Sequence, residues 1–437
     1  MKIRFLNHAS AVIETEHAVI LTDPWFEGAS FNNGWDLLAA SPDVEAAMKN
    51  ITHIWISHEH PDHFSPSFFL SLSQDVKERI EIIFQDTRDK RVCGFLRGKG
   101  FRVRELRHHQ PHRIEATELC IGKSSFYDSY LHLKSGSASL LNLNDCPIND
   151  DTTLKKIRHR FGLPTVLLSQ FSYAAWKGGR ESRAVRRQFA YEKLMTLKRQ
   201  ASCLQPEYLI PFASFIYFSN EENFYMNDSV NTIDSVFESL KDSGTELITL
   251  KPGESWVVGD RHDNTNPRLF WREKFSGITS MPRRKPGNSA DEATLQEAFK
   301  DYKARVLTKN NAVLIRLARW VPGLGVFRPI NIKLSDLGIY QLDFNTGLSP
   351  APGEPHDVEM HSSSLLFIFN NEFGYDTLTV NARFEASGEG FSKMTKFLAI
   401  GSLNAMGLSL NFGFVRHFAV AWQLLKQLRR VRKGMAL

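Results

Sequence analysis

A short apolar run, Ile51-Thr52-His53-Ile54-Trp55-Ile56-Ser57, leads straight into His58-Glu59-His60-Pro61-Asp62-His63. The run is β-branched and reads as a buried strand. The segment after it packs three histidines and an aspartate into six residues. Neutral imidazoles and carboxylates are the side chains that hold zinc, iron or manganese. At a strand end, His58 and His60 can point one way and Asp62 and His63 another, which suits two metal ions. A polar surface loop with histidines by coincidence is a poor alternative for a pattern this dense. The chain is therefore expected to fold around a metal centre.

The surrounding sequence supplies the sheets such a loop needs. Residues 2–6, 11–14, 18–22, 79–84, 129–133, 138–143 and 208–211 read as short strands. Asp23-Pro24 closes the third, because proline cannot continue a central strand. Val185, Phe189, Leu194, Leu197 and Leu204 recur at helical spacing over 181–204, and 291–306 is also expected to be helical. Residues 363–369 (SSLLFIF) and 377–384 (TLTVNARF) look strand-like. Between about 260 and 290 the chain turns polar and rich in proline and glycine, as linkers do. The expected organisation is a metal-binding domain over 1–265, a linker over 266–290 and an α+β region over 291–437. A length of 437 residues fits two domains. An apolar fraction of 42% and a charged fraction of 23% exclude a disordered, collagen-like or coiled-coil chain.

Charge is uneven. The formal net charge is +6, yet no acidic residue follows Glu389, and the last 48 residues carry eight lysines and arginines. The rest is near neutral, which argues against a nucleic-acid-binding protein with a broad basic surface. Within 416–433, Ala421, Leu424, Leu425, Leu428 and Val431 share one helical face and Lys426, Arg429, Arg430 and Lys433 another. Such a helix suits three roles: the last helix of the domain, a peripheral contact with an anionic membrane, or a dock for an acidic partner. Cys93, Cys120, Cys146 and Cys203 are scattered, with no CxxC. The amino terminus lacks the long apolar core of a leader, and no run is long enough to span a membrane. The simple expectation is a reduced cytoplasmic protein, with peripheral contact at the inner membrane face open to the tail.

The HxHxDH loop resembles that of the metallo-β-lactamase superfamily. Thr22-Asp23-Pro24-Trp25, Phe31-Asn32-Asn33-Gly34-Trp35, Leu143-Asn144-Asp145-Cys146 and Tyr208-Leu209-Ile210-Pro211-Phe212-Ala213 recur with it, in an order similar to the CMP-N-acetylneuraminate hydroxylase family without its Rieske domain. The resemblance implies a four-layer αββα sandwich with an appended carboxy-terminal α+β region. It places the metal ligands at His58, His60, Asp62 and His63, with Asp145 as bridging carboxylate and Asp128 as ligand or near neighbour. Asp62 and Asp145 would be the catalytic carboxylates. Two positions depart from the superfamily pattern: Ser124 and Asn220 stand where further histidines are expected, so Asn220 enters the ligand set as an oxygen donor. His132 lies on a strand and reads as a core residue.

A site poor in histidine and rich in oxygen suits iron, since carboxylate-bearing sites with open positions handle dioxygen. The implied function is a di-iron monooxygenase acting on an activated small molecule: a sugar nucleotide, a lipid-linked compound or a thioester. None of the cysteines has a histidine two or three residues on, so no Rieske centre is encoded. Electrons would come from a separate ferredoxin or reductase. The alternative is a zinc or manganese hydrolase of the lactonase or phosphodiesterase type, using metal-bound hydroxide. Lys177, Arg180 and Arg183, in a glycine-kinked loop before the basic helix, are candidates to hold a substrate phosphate or carboxylate. His108, His109 and His112 lack a nearby carboxylate and read as surface.

Overall fold

Side chains alternate across a strand, and along the early strands both sides are buried. In Glu81–Gln85, Ile83 enters one apolar core while Ile82 and Phe84 enter another. Trp55 and Ile54 of His53–Trp55 divide in the same way. Strands buried on both faces need a layer on each side, and that is the arrangement in the computed structural model. It describes residues 1–124, 127–320, 325–405 and 407–411. The basic segment 416–433 lies outside the described residues.

Two seven-stranded sheets face each other. The first runs Ser255–Val257, Lys2–Asn7, Ser10–Glu14, Val19–Thr22, His53–Trp55, Glu81–Gln85, Arg102–Leu106. The second runs Glu246–Leu247, Tyr208–Phe212, Val166–Gln170, Ala138–Asn144, Ser129–Ser135, Thr117–Lys123, Pro111–Ile114. Each has an antiparallel part and a parallel part. The core between them joins Ile3, Phe5, Ile13 and Trp55 to Leu131, Leu141, Leu167 and Phe212. Phe69, Val92 and Leu96, from the helices Pro66–Ser71 and Arg91–Gly98, cover the outside of the first sheet. Helices Asp151–Phe161, Arg183–Leu204 and Ile233–Leu240 cover the second. This is the four-layer sandwich of the metallo-β-lactamase fold.

The stretch 266–290 differs from the expected linker. Its first part is the helix Thr265–Ser276, whose Trp271 is fully buried in the sandwich core and donates Nε1–H to the Leu250 carbonyl at 2.9 Å. Phe270, Trp271 and Phe275 hold the helix down, and the many polar residues between them sit on its outer side. Only 281–291 is irregular before the helix Glu292–Lys309.

Beyond it, a five-stranded sheet (Gly347–Pro350, Gly338–Asp343, Ile330–Leu334, Val358–Met360, Glu385–Ala386) packs with helices. Two of these, Ser362–Asn370 and Gly374–Asn381, replace the strands expected at 363–369 and 377–384. The short apolar run looked strand-like, but the His361 side chain accepts from Ser363 N–H and caps the first helix. Leu365, Ile368 and Phe369 then fall on one buried face.

The carboxy-terminal region is not a detached domain. Trp25, Phe31, Trp35, Tyr173 and Trp176 leave the sandwich to join the core built by Phe299, Tyr302, Phe369 and Phe397. Trp176 stacks on Phe391 and Phe384, with centroids 4.5 and 5.2 Å away. Among the described residues no helix is long and apolar enough to cross a membrane.

Candidate metal centre

The site lies where parallel strands end, the usual position for ligands in α/β sheets. Val19–Thr22 ends into Asp23, His53–Trp55 into the HxHxDH loop, and Ala138–Asn144 into Asp145. His8 joins from the turn between the first two strands. Four non-glycine residues here, His8, Asp23, Asn144 and Ala213, have positive φ (40°, 37°, 53° and 48°). Such backbone costs on the order of 1–3 kcal/mol per residue and clusters at functional sites. The Ala213 N–H donates to the His8 carbonyl at 2.9 Å, locking two of these turns together.

The side chains form two groups, His8–Asp62–His63 and His58–His60–Asp145. In the first, the Nε2 atoms of His8 and His63 approach Asp62 Oδ2 at 3.1 and 3.2 Å. In the second, His58 Nε2 lies 2.8 Å from His60 Nδ1 and 3.6 Å from Asp145 Oδ2. That same Asp145 oxygen is 3.5 Å from His63 Nε2, so it stands between the groups, where a bridging carboxylate belongs.

A second layer orients these ligands. His63 Nδ1 meets Asp23 Oδ2 at 3.0 Å, which leaves Nε2 to face the centre. Asp23 also accepts from Ser57 N–H at 2.7 Å, from Ser57 Oγ–H at 2.8 Å and from the Asn144 amide. Ser57 Oγ lies 2.9 Å from His58 Nδ1, turning His58 Nε2 inward. A carboxylate or hydroxyl behind each histidine is the usual support of a metal site.

The donor set fits bound cations. Asp62 Oδ1, Asp145 Oδ1 and His8 Nδ1 are buried without a hydrogen-bond partner, a costly arrangement for polar atoms unless something else satisfies them. Burial works to raise the Asp62 and Asp145 carboxyls, yet the histidines beside them hold both well below the usual range. Burial works to lower His63, but Asp62, Asp145 and Asp23 outweigh it and hold the imidazole above its ordinary value. For His58 burial prevails and the imidazole is pushed down. The carboxylates stay charged in a dry site and draw in positive charge.

The sequence singled out His58, His60, Asp62, His63 and Asp145, and the structure brings all five together. Asp128 is near enough for its charge to be felt by His58 and His60. Asn220 is not part of the cluster. Its amide donates to the carbonyls of Asn33 and Lys285 at 3.2 Å each, and its Oδ1 accepts from Glu222 N–H, so its side chain is spent on tying three loops. His132 is a core residue stacked on Phe161 at 4.3 Å, pushed down to about 4 by burial. The anion-binding trio also divides. Arg180 pairs with Glu385 at 3.1 Å, and Arg183 leans on Asp228 at 3.9 Å and on its carbonyl. Lys177 Nζ lies 4.8 Å from the Phe189 ring, on the helix that carries Lys193.

His8 escaped the sequence reading, being fifty residues from the loop with no local cluster. The usable signal is its place in a tight turn between two apolar strands, where a histidine becomes buried and needs a partner. Asp23 was visible as a strand terminator and as part of the Thr22-Asp23-Pro24-Trp25 motif, with no role assigned to it.

Replacing Asp23 with alanine leaves Ser57 and Asn144 donors unsatisfied, each costing ~1–3 kcal/mol when buried. The expected outcome is a melting temperature lower on the order of 10 °C and metal binding weaker by ~10–100-fold. Thermal unfolding and chelator competition check both.

Residues 2–122 match the family described as the Beta-lactamase superfamily domain. The chain is similar to the cytidine monophosphate-N-acetylneuraminic acid hydroxylase of Danio rerio, 24% identical over 272 residues; these make up 57% of this chain and 44% of that protein. It thus spans less than half of that relative's length. A metal-dependent hydrolase from Brucella anthropi is 44% identical over 63 residues, 14% of this chain and 24% of the hydrolase. Among solved structures, CmlA, a diiron β-hydroxylase from Streptomyces venezuelae, superposes with a TM-score of 0.42 at 14% identity, over 58% of this chain and 53% of that one. A possible metal-dependent hydrolase from Veillonella parvula gives 0.45 at 14% identity, over 59% and 99%.

Proposed function

We propose that this chain, a metal-dependent enzyme of metallo-β-lactamase fold, is a di-iron hydroxylase. The observation that carries the reading is the donor set: each group holds two histidines and one carboxylate. With His8 the centre carries four histidines and two carboxylates, not the histidine-poor set expected from the sequence, and two histidines with one carboxylate per ion is a ligand type of non-haem iron oxygenases. His8, Asp62 and His63 would hold one ion and His58, His60 and Asp145 the other. Iron there supplies the binding and stepwise reduction of dioxygen. The long match to a hydroxylase supports the same reading.

The overall reaction inserts one oxygen atom into a C–H bond and releases the other as water, consuming two electrons and two protons. The electrons come from an external ferredoxin or flavin reductase. The chain's own part is to hold the ligands in a buried cup, keep bulk water out and position the C–H bond. Substrate approaches from the side of His60 and Asp145, whose side chains remain 32% and 20% exposed, while those of His58 and His63 are fully covered.

Lys193 is near enough to feel the charges of Asp145 and Asp128, and Lys177 is near enough to feel Lys193. Burial and the charge of Lys193 push the Lys177 ammonium down to about 8. Lys193 is lowered by burial against the pull of Asp145 and Asp128. A substrate anion would relieve both, which suits a phosphate- or carboxylate-bearing molecule such as a sugar nucleotide. Lys193→Met is expected to raise KM roughly 10–100-fold, since a hydrogen bond to a charged group contributes about 1.5–3 kcal/mol. Steady-state kinetics checks this.

A zinc or manganese hydrolase is the second reading, favoured by the short match to the Brucella protein and by the fact that His₂–carboxylate sets also serve zinc hydrolysis. Iron-loaded protein with reduced ferredoxin, dioxygen and CMP-N-acetylneuraminate as first probe separates the two. A product heavier by one oxygen atom, with matching dioxygen uptake, is expected. Cleavage of lactone or phosphodiester probes by the zinc form, without uptake by the iron form, would establish the hydrolase.

A further inference from the structure

Within the second metal group, His60 is the ligand least enclosed by the sandwich. His58 and His63 are each backed by Ser57 or Asp23 from the same domain. Behind His60 the partner comes from the far end of the chain: Asp376 Oδ2 lies 3.2 Å from His60 Nε2. The residues are 316 positions apart.

We propose that Asp376, on the carboxy-terminal helix Gly374–Asn381, is the positioning residue for His60, so that the carboxy-terminal region completes the metal centre. A neutral imidazole carries one N–H. If Nε2–H is donated to Asp376, the lone pair rests on Nδ1, which is the nitrogen that faces His58 Nε2 at 2.8 Å. These two facing nitrogens are the pair that a cation would take in place of their shared proton. The carboxylate thus selects the tautomer and fixes the ring plane.

The position of Asp376 is well determined by its surroundings. At Gly374 a Cβ would lie 2.5 Å from Ile368 Cα, so the helix start packs directly on the backbone of the preceding helix. Tyr375 Oη–H donates to Thr395 Oγ1 at 2.6 Å. Trp176 N–H reaches the Thr379 carbonyl at 2.8 Å, and the Asn381 amide reaches the Phe31 carbonyl at 3.0 Å. Phe31 in turn packs edge-on to His60, with centroids 5.6 Å apart. The same helix therefore holds His60 through a hydrogen bond and, through Phe31, by packing. A free-standing sandwich domain would lack the hydrogen bond to Asp376 and the support that Asn381 gives Phe31.

This proposal rests on reading His58, His60 and Asp145 as metal-holding and is independent of which metal or which reaction follows. The test uses the full chain, stripped of metal and titrated with Co²⁺, whose visible absorption reports ligand geometry; affinity is read against a chromophoric chelator. Asp376→Leu has nearly the same shape and no acceptor, while Asp376→Asn keeps an acceptor oxygen. Asp376→Leu is expected to bind one of two Co²⁺ ions ~10–100-fold more weakly with an altered spectrum, the range seen when outer partners of metal ligands are removed. Asp376→Asn should stay within a few-fold of the parent. Asp376→Ala serves as a second truncation if the leucine variant fails to fold. Parental affinity and spectrum in the truncations, or an asparagine variant as weak as leucine, would overturn the proposal. Activity is not part of the readout, so failure of the hydroxylase reading would leave this result standing, and the reverse.

Discussion

Replacing His63 with alanine is expected to strip at least one metal ion and abolish turnover while the sandwich stays folded. His63 is fully buried, and its Nε2 faces carboxylate oxygens of both Asp62 and Asp145, 3.2 and 3.5 Å away. Its loss removes a ligand from one group and unseats the bridging carboxylate of the other. The loss of affinity should exceed the ~10–100-fold typical of outer partners. The backbone survives because the loop sits at a strand end, outside the ladders that hold the two sheets. Equilibrium dialysis with elemental analysis, alongside far-ultraviolet circular dichroism, checks both halves of the expectation.

The second large effect concerns Arg383. This arginine is 1% exposed, and its guanidinium donates to Glu222 at 2.7 Å and to the Asn32 carbonyl at 2.7 Å. It follows the helix that carries Asp376 and precedes Phe384, which stacks on Trp176. Arg383→Ala leaves the Glu222 carboxylate with a lost charge partner in a largely dry interface. Breaking one side of a buried pair costs ~3–5 kcal/mol. The melting temperature should fall on the order of 10 °C, and metal affinity should fall with it as the helix behind His60 loosens. Scanning calorimetry on the metal-loaded and stripped protein reads both effects.

The legible parts of this chain were those written in local sequence. A β-branched strand followed by HxHxDH announces its own geometry, and Asp145 follows a strand, Ala138–Asn144, whose apolar run is equally plain. The sandwich follows from the same strands. His8 and Asp23 became functional only through the fold: His8 sits in the turn between the first two strands and Asp23 just past the third, both with positive φ, and their partners are 34 to 121 residues away. Asn220 was assigned by position along the chain, and its loop turned out to serve Asn33 and Lys285 instead of the cluster.

Asp376 was out of reach for another reason. It stands just before Thr377 to Phe384, a segment that reads as a strand with Thr377, Thr379 and Val380. Tertiary packing against Ile368 and Thr395 makes it a helix instead, and the helix delivers the carboxylate. The linker reading failed similarly: Trp271 and Phe275, with Phe270 beside them, bind a polar stretch to the core.

The most direct measurement is the metal content of the parent and the His8→Ala variant, purified side by side without chelators. His8 belongs to the group with Asp62 and His63 and has no part in the other. The expected result is iron near two per chain in the parent and near one in the variant, with the iron-loaded parent alone taking up dioxygen. Equal metal content in both proteins would contradict the placement of His8 in the centre, and stoichiometric zinc with no activity gained on iron loading would contradict the hydroxylase.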